Sequence, residues 1–143
     1  MLFDNEALFS DKQAITADAA STNVIDLGTP GTPKHAAGPI TQDIGFGRPI
    51  PIRIQVTETF NNLTSLTVKI QVDSDENFGS PTDVVETVVP LVNLVAGHVI
   101  PVSFVPRGVN ERYVRLYYDV TGTASSTGKI MAGLVVGNES WAA

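Results

Sequence analysis

The sequence contains no cysteine in 143 residues. The chain therefore forms no disulfide, offers no thiolate nucleophile and builds no cysteine-type zinc site. Charge is scarce as well: Asp, Glu, Lys and Arg make up 17% of the residues, against about 25% in an ordinary globular protein. The balance is acidic, with nine Lys and Arg against fifteen Asp and Glu and a net charge of −6. Phosphate backbones are held by clustered cations; here the cations are scattered, which excludes nucleic acid as the expected partner. No window approaches the roughly 18–20 consecutive apolar residues of a membrane span, so no membrane partner is expected. The opening MLFDNEALFSDKQ lacks the basic leader and apolar run of a signal peptide. The expectation is a soluble protein made in a cytoplasm. Helical periodicity is missing too: no 3.6-residue apolar pattern runs beyond a turn or two.

What is present is alternation. In residues 112–136, Val114, Leu116, Tyr118 and Val120 share one face, and Ile130, Ala132, Leu134 and Val136 share another. A period of two marks strands half buried against a core. The Gly-, Ser- and Thr-rich residues 122–128 between them read as a hairpin loop. Ile50, Ile52, Ile54 and Val56 alternate in the same way, as do Leu66, Val68, Ile70 and Val72, with a turn at residues 60–63. Shorter strands are expected at 13–18, 23–27 and 84–89. Residues 98–105 read as a strand with Ile100, Val102 and Phe104 on one face. About eight strands with polar turns predict an all-β fold, an antiparallel β-sandwich of jelly-roll type, in a single domain over 1–143. Two segments stand outside the strands. Residues 1–13 read as an N-terminal arm. Residues 28–48 form a long loop; its stretch 28–47 holds five glycines with Pro30, Pro33 and Pro39. Loops of that length in a compact domain are usually functional.

No motif carries chemistry. Asp73-Ser74-Asp75-Glu76-Asn77 resembles the start of a calcium loop, but Phe78 stands where glycine belongs and Val84 where the bidentate Glu belongs. The expectation is a solvated loop. His35 and His98 have no His-x-His or Ser/His/Asp pattern around them. Gly45-Phe46-Gly47-Arg48 lacks the third glycine and the helix of a dinucleotide loop. Asp73 and Glu86 are not set in the apolar surroundings that a glycosidase pair requires. Asn62-Leu63-Thr64 and Asn138-Glu139-Ser140 match a glycosylation pattern that carries no information without secretion. Trp141 reads as packing for the tail. No catalytic residue, metal ligand or cofactor site is expected.

Three stretches carry a resemblance. One is the strand 66–72 followed by Asp73-Ser74-Asp75 and Phe78-Gly79. The second is Pro106-Arg107-Gly108 leading into Arg112-Tyr113-Val114-Arg115-Leu116 and Val120-Thr121-Gly122. The third is the opening from Phe3-Asp4 through residues 10–16 to Asn23-Val24-Ile25-Asp26-Leu27-Gly28. Together they resemble the capsid cement, or head decoration, proteins of short-tailed bacteriophages, over most of the chain. The resemblance implies a jelly roll on the outer surface of a phage head. There it would bridge subunits of the major capsid protein and pair with itself as a homodimer, with no cofactor and no catalysis. A carbohydrate-binding jelly roll is the alternative, although one Trp and 7% aromatics make a poor sugar platform. Partner contacts are expected from the irregular segments: Leu2, Phe3, Leu8 and Phe9 in the arm, and Ile40, Ile44, Phe46 and Arg48 in the loop.

Overall fold

A computed structural model describes residues 3–136. Eight strands are present: β1 (Phe3–Ala14), β2 (Ala19–Ala20), β3 (Ile25–Asp26), β4 (Ile52–Glu58), β5 (Leu63–Asp73), β6 (Thr82–Pro90), β7 (Tyr113–Gly122) and β8 (Lys129–Val135). All pairings are antiparallel. One sheet runs β1-β8-β4; the other runs β2-β7-β5-β6, with β3 also on β7. Residues 98–105 lie along the free edge of β4. They join it by two isolated bridges, Pro51 to Phe104 and Gln55 to Val99, and by backbone bonds such as Ile100 N–H to the Ile54 carbonyl at 2.9 Å. If β2 and β3 are taken as one interrupted strand, and 98–105 as an irregular one, successive strands interleave between the sheets in jelly-roll order. The fold is the β-sandwich that the alternation predicts.

The inward residues of both sheets form one core, with Ile54, Val56, Leu66, Leu116, Tyr118, Ile130 and Ala132 sealed from solvent. Burial of each large aliphatic side chain contributes about 1.5–3 kcal/mol. The Tyr118 hydroxyl, sealed in the core, meets the equally buried Ser10 Oγ at 2.8 Å. That contact ties β7 of one sheet to β1 of the other, and burial pushes the Tyr118 phenol upward.

Three expectations are corrected. Residues 112–136 are not a hairpin: β7 and β8 lie in different sheets. The connection 123–128 crosses between the sheets, as does the turn before β5. The two crossings brace each other, with Asn61 Oδ1 accepting the N–H groups of Ser126 and Thr127.

Residues 3–13 are not an arm but most of β1, paired with β8. Three register shifts interrupt that pairing, and Lys12 adopts φ 48. Each shift breaks the period of two, which is why the strand does not read as one. The expected strand at 13–18 is only the end of β1 and a crossing turn.

The third correction concerns 98–105, whose alternation slips. Val105 faces the core beside Ile100 and Val102, and Phe104 is 51% exposed.

Candidate partner-docking site

Residues 27–51 contain no strand, yet part of this loop is firmly held. Its anchor is Asp43. Oδ1 accepts the Gly45 N–H at 2.9 Å, closing a turn of the kind Asp favours. Oδ2 accepts the Gly108 N–H, also at 2.9 Å. The Ile44 N–H then bonds the Val109 carbonyl at 3.2 Å. The loop is thus clasped to residues 105–109, which lead towards β7. Gly45 lies so close to this neighbour that a Cβ there would overlap the Pro106 carbonyl. Its glycine serves a close backbone approach, not a nucleotide.

The clasp drives Ile44 inward. It packs on the core and, with Phe9, Ile25, Ile52, Ile70 and Val114, lines an apolar void of about 20 Å³. The next side chain, Phe46, is turned out and is 66% exposed. The Arg107 guanidinium lies 4.5 Å from its ring centroid, a cation–π contact. Arg48 is exposed two residues further on. On the other side, residues 31–40 form a lobe closed by the Ile40 N–H to the Gly31 carbonyl at 3.0 Å. Lys34 and His35 lie in that lobe, both exposed, with His35 at φ 69. Ile40 is 54% exposed.

The expected contact residues therefore separate. Ile40, Phe46 and Arg48 are exposed at this end of the molecule, while Ile44 belongs to the core. Phe9, expected to reach a partner, is a core residue at 2% exposure. Leu8 is buried over Gly133 of β8. Neither is available to another protein. Phe3 is partly buried at the start of β1, opposite Val135. Leu2, Asn138 and Trp141 lie outside the described residues. Asp43, Gly45 and Arg107 complete the site without having been expected. The only sequence signal was Asp43 two residues before a glycine, a turn signature that does not name Gly108 as the second donor.

The other polar clusters are occupied within the protein. Asp73 accepts backbone N–H groups from Asp75 at 3.0 Å and Ser80 at 2.9 Å. These bonds hold its carboxyl below the ordinary value and direct its oxygens to the loop itself. Phe78 is buried there at φ 52, and Arg115 stacks 4.1 Å from its ring centroid. Lys69 sits within 3.6 Å of Asp83, Glu86 and Asp119; its hydrogen bond to Glu86 is the chief reason its pKa is raised. Asp26 is held down to about 2 by its hydrogen bonds with Arg112 and the Gly28 N–H. Among the described residues no cluster of His, Asp or Glu is arranged to hold a metal ion.

No curated protein matches this sequence. The profile of the Bbp16 family matches residues 9–134, a span that runs from within β1 to within β8 and takes in both sheets and the clasped loop. The chain belongs to the Bbp16 family, a phage-related family.

Proposed function

We propose that this protein is a capsid cement: a structural virion protein that sits on the outer surface of a phage head and bridges major capsid subunits. The observation that carries the reading is the end of the molecule around Phe46. A rigid sandwich there presents an exposed aromatic, an exposed Ile40 and cations that make no ion pair among the described residues. That is the make-up of a protein-docking surface. Membership of a phage-related family supports the same reading, and so does a strand-dense core with no cysteine, which keeps its shape in any redox environment. The protein acts without cofactor or catalysis, and the copies on a shell pair as homodimers. Many modest contacts hold a shell strongly because each linked binding event adds through effective concentration. A ligand that binds only the closed shell stabilises it by mass action. The glycan-binding alternative has less support: Tyr113 and Tyr117, the aromatics of the exposed sheet face, are each approached by an arginine of the same chain.

The test compares heads assembled with and without the protein. Heads lacking it should form, yet release DNA at lower temperature. Equal release from both would remove the reading.

A further inference from the structure

We infer that the partner surface this protein docks on is acidic and carries an apolar socket, which Phe46 fills while Arg107 and Arg48 meet carboxylates at its rim. The inference rests on the cement reading and names the chemistry of the contact.

It follows from the distribution of charge. The chain carries a net charge of −6, and four of its nine cations are engaged on the sheets. Lys69 has three carboxylates, Arg112 has Asp26, and Lys129 has Glu58 at 3.0 Å. Arg115 stacks on Phe78 and donates to Gln71 at 2.9 Å. Five cations make no ion pair among the described residues: Lys12 on β1, Arg53 on β4, and Lys34, Arg48 and Arg107, which all belong to the loop or to the segment that clasps it. The one acid within residues 28–48, Asp43, has both oxygens engaged by backbone donors. An acidic protein thus presents a cationic end. Charge complementarity of this kind steers encounter and excludes wrong partners. Arg107 also orients the ring: its guanidinium covers one face of Phe46 and leaves the rest of the side chain to enter a socket. Three cations are too few for a nucleic-acid track, and Ile40 with Phe46 adds the apolar surface that a protein socket matches.

The experiment measures binding of the purified protein to heads of the parent phage assembled without it, from about 0.05 to about 0.5 M salt, a range over which the screening length shortens severalfold. Four variants are compared: Phe46→Ala, Arg48→Glu with Arg107→Glu, the doubly reversed variant carrying Phe46→Ala as well, and Lys12→Glu. Lys12 is an exposed cation on β1, away from the loop, and its reversal, two charge units against the four of the double reversal, controls for net charge. The inference expects wild-type binding to weaken with salt. It expects Phe46→Ala and the double reversal each to lose roughly tenfold or more in affinity with melting temperature unchanged, and Lys12→Glu to bind as wild type. Wild-type binding that ignores salt and tolerates the double reversal would overturn the inference and leave the cement reading standing on another surface. An equal loss in Lys12→Glu would overturn it too, since the effect would then be one of net charge. Failure of the wild-type protein to bind heads at any salt would remove the cement reading, and the inference with it.

Discussion

On the outer face of the five-stranded sheet, Lys69 is surrounded by Asp83, Glu86 and Asp119, and Arg115 lies between Phe78 and Tyr117. At the loop end, Arg107 covers Phe46 and meets no carboxylate among the described residues. Both regions expose charge beside aromatic rings. The difference is in what is left over. The sheet face satisfies itself: cross-strand neighbours at fixed register, such as Lys69 opposite Glu86, neutralise each other. The loop end is fixed just as firmly, through Asp43, but its fixing bonds are all to backbone, so Lys34, Arg48 and Arg107 keep no ion pair among the described residues. Rigid backbone with unmatched side chains marks a surface made for another molecule; matched side chains mark a surface made for the fold.

The comparison is broken most severely from beneath. Leu116 is sealed in the core under both regions, and Leu116→Ala should destabilise the protein by roughly 2–5 kcal/mol, measured by denaturant unfolding. If the loop end were an independent unit, its protection from protease would survive this change; one shared core requires that it fall with the rest.

Gly45→Ala separates the regions. The methyl group has nowhere to go but into the Pro106 carbonyl, so the clasp must open, at a cost of about 1–3 kcal/mol for an overpacked contact. Trypsin should then cut faster after Lys34 and Arg107, while the bonds of the sheet face persist. Unchanged cleavage would mean that Asp43 does not hold the loop.

Smaller again is the effect of acid. Asp26, Asp73, Asp83 and Glu58 all have depressed values in the folded protein. For Asp26 and Glu58 the main cause is a cationic partner's hydrogen bond. For Asp73 it is backbone N–H groups. For Asp83, burial opposes the shift and is outweighed by Gln71 and Lys69. A carboxyl depressed on folding contributes stability above its unfolded value and loses it as pH falls through the folded one. Melting temperature should therefore hold near neutrality and decline from about pH 4, the unfolded range, towards about 2, where Asp26 titrates. A decline already complete near pH 5 would contradict the bonding described for the sheet face.

The smallest effect belongs to Thr67, on the outward face of β5 between Val88 and Asp119. Thr67→Ala should change stability by no more than about 0.5 kcal/mol. A larger loss by thermal melting would show that this face is packed rather than solvated.

The legible parts of this fold are those where pairing is regular. β5 and β7 keep one register from Ser65 to Asp73, so their apolar residues alternate cleanly and their inward faces read directly. β1 is interrupted three times, and its buried Leu8 and Phe9 are adjacent, which in a sequence looks like an apolar tail. Which sheet each strand joins was not legible, because an alternating pattern gives a face and not a neighbour. In the loop, Ile44 and Phe46 read alike as apolar side chains on a Gly/Pro backbone. Only the clasp to residues 105–109, some sixty positions away in the chain, turns one inward and the other out. No local pattern encodes a contact of that separation.

The place of β8 has a consequence for how the molecule is made. It is the central strand of its sheet, flanked by β1 and β4, and it is the last strand among the described residues. Synthesis from the N-terminus delivers β1 first, and that strand has no sheet to join until residues 129–135 have left the ribosome. At about 5–20 residues per second, its edge waits for many seconds. The five-stranded sheet can start earlier from the local β5–β6 hairpin, but the sandwich closes only once β8 has emerged. Folding dominated by such distant pairings is slow, in the range of milliseconds to seconds. The polar residues spread along β1, with Asp4, Glu6, Asp11 and Lys12 all outward, keep that waiting edge from pairing with the wrong chain.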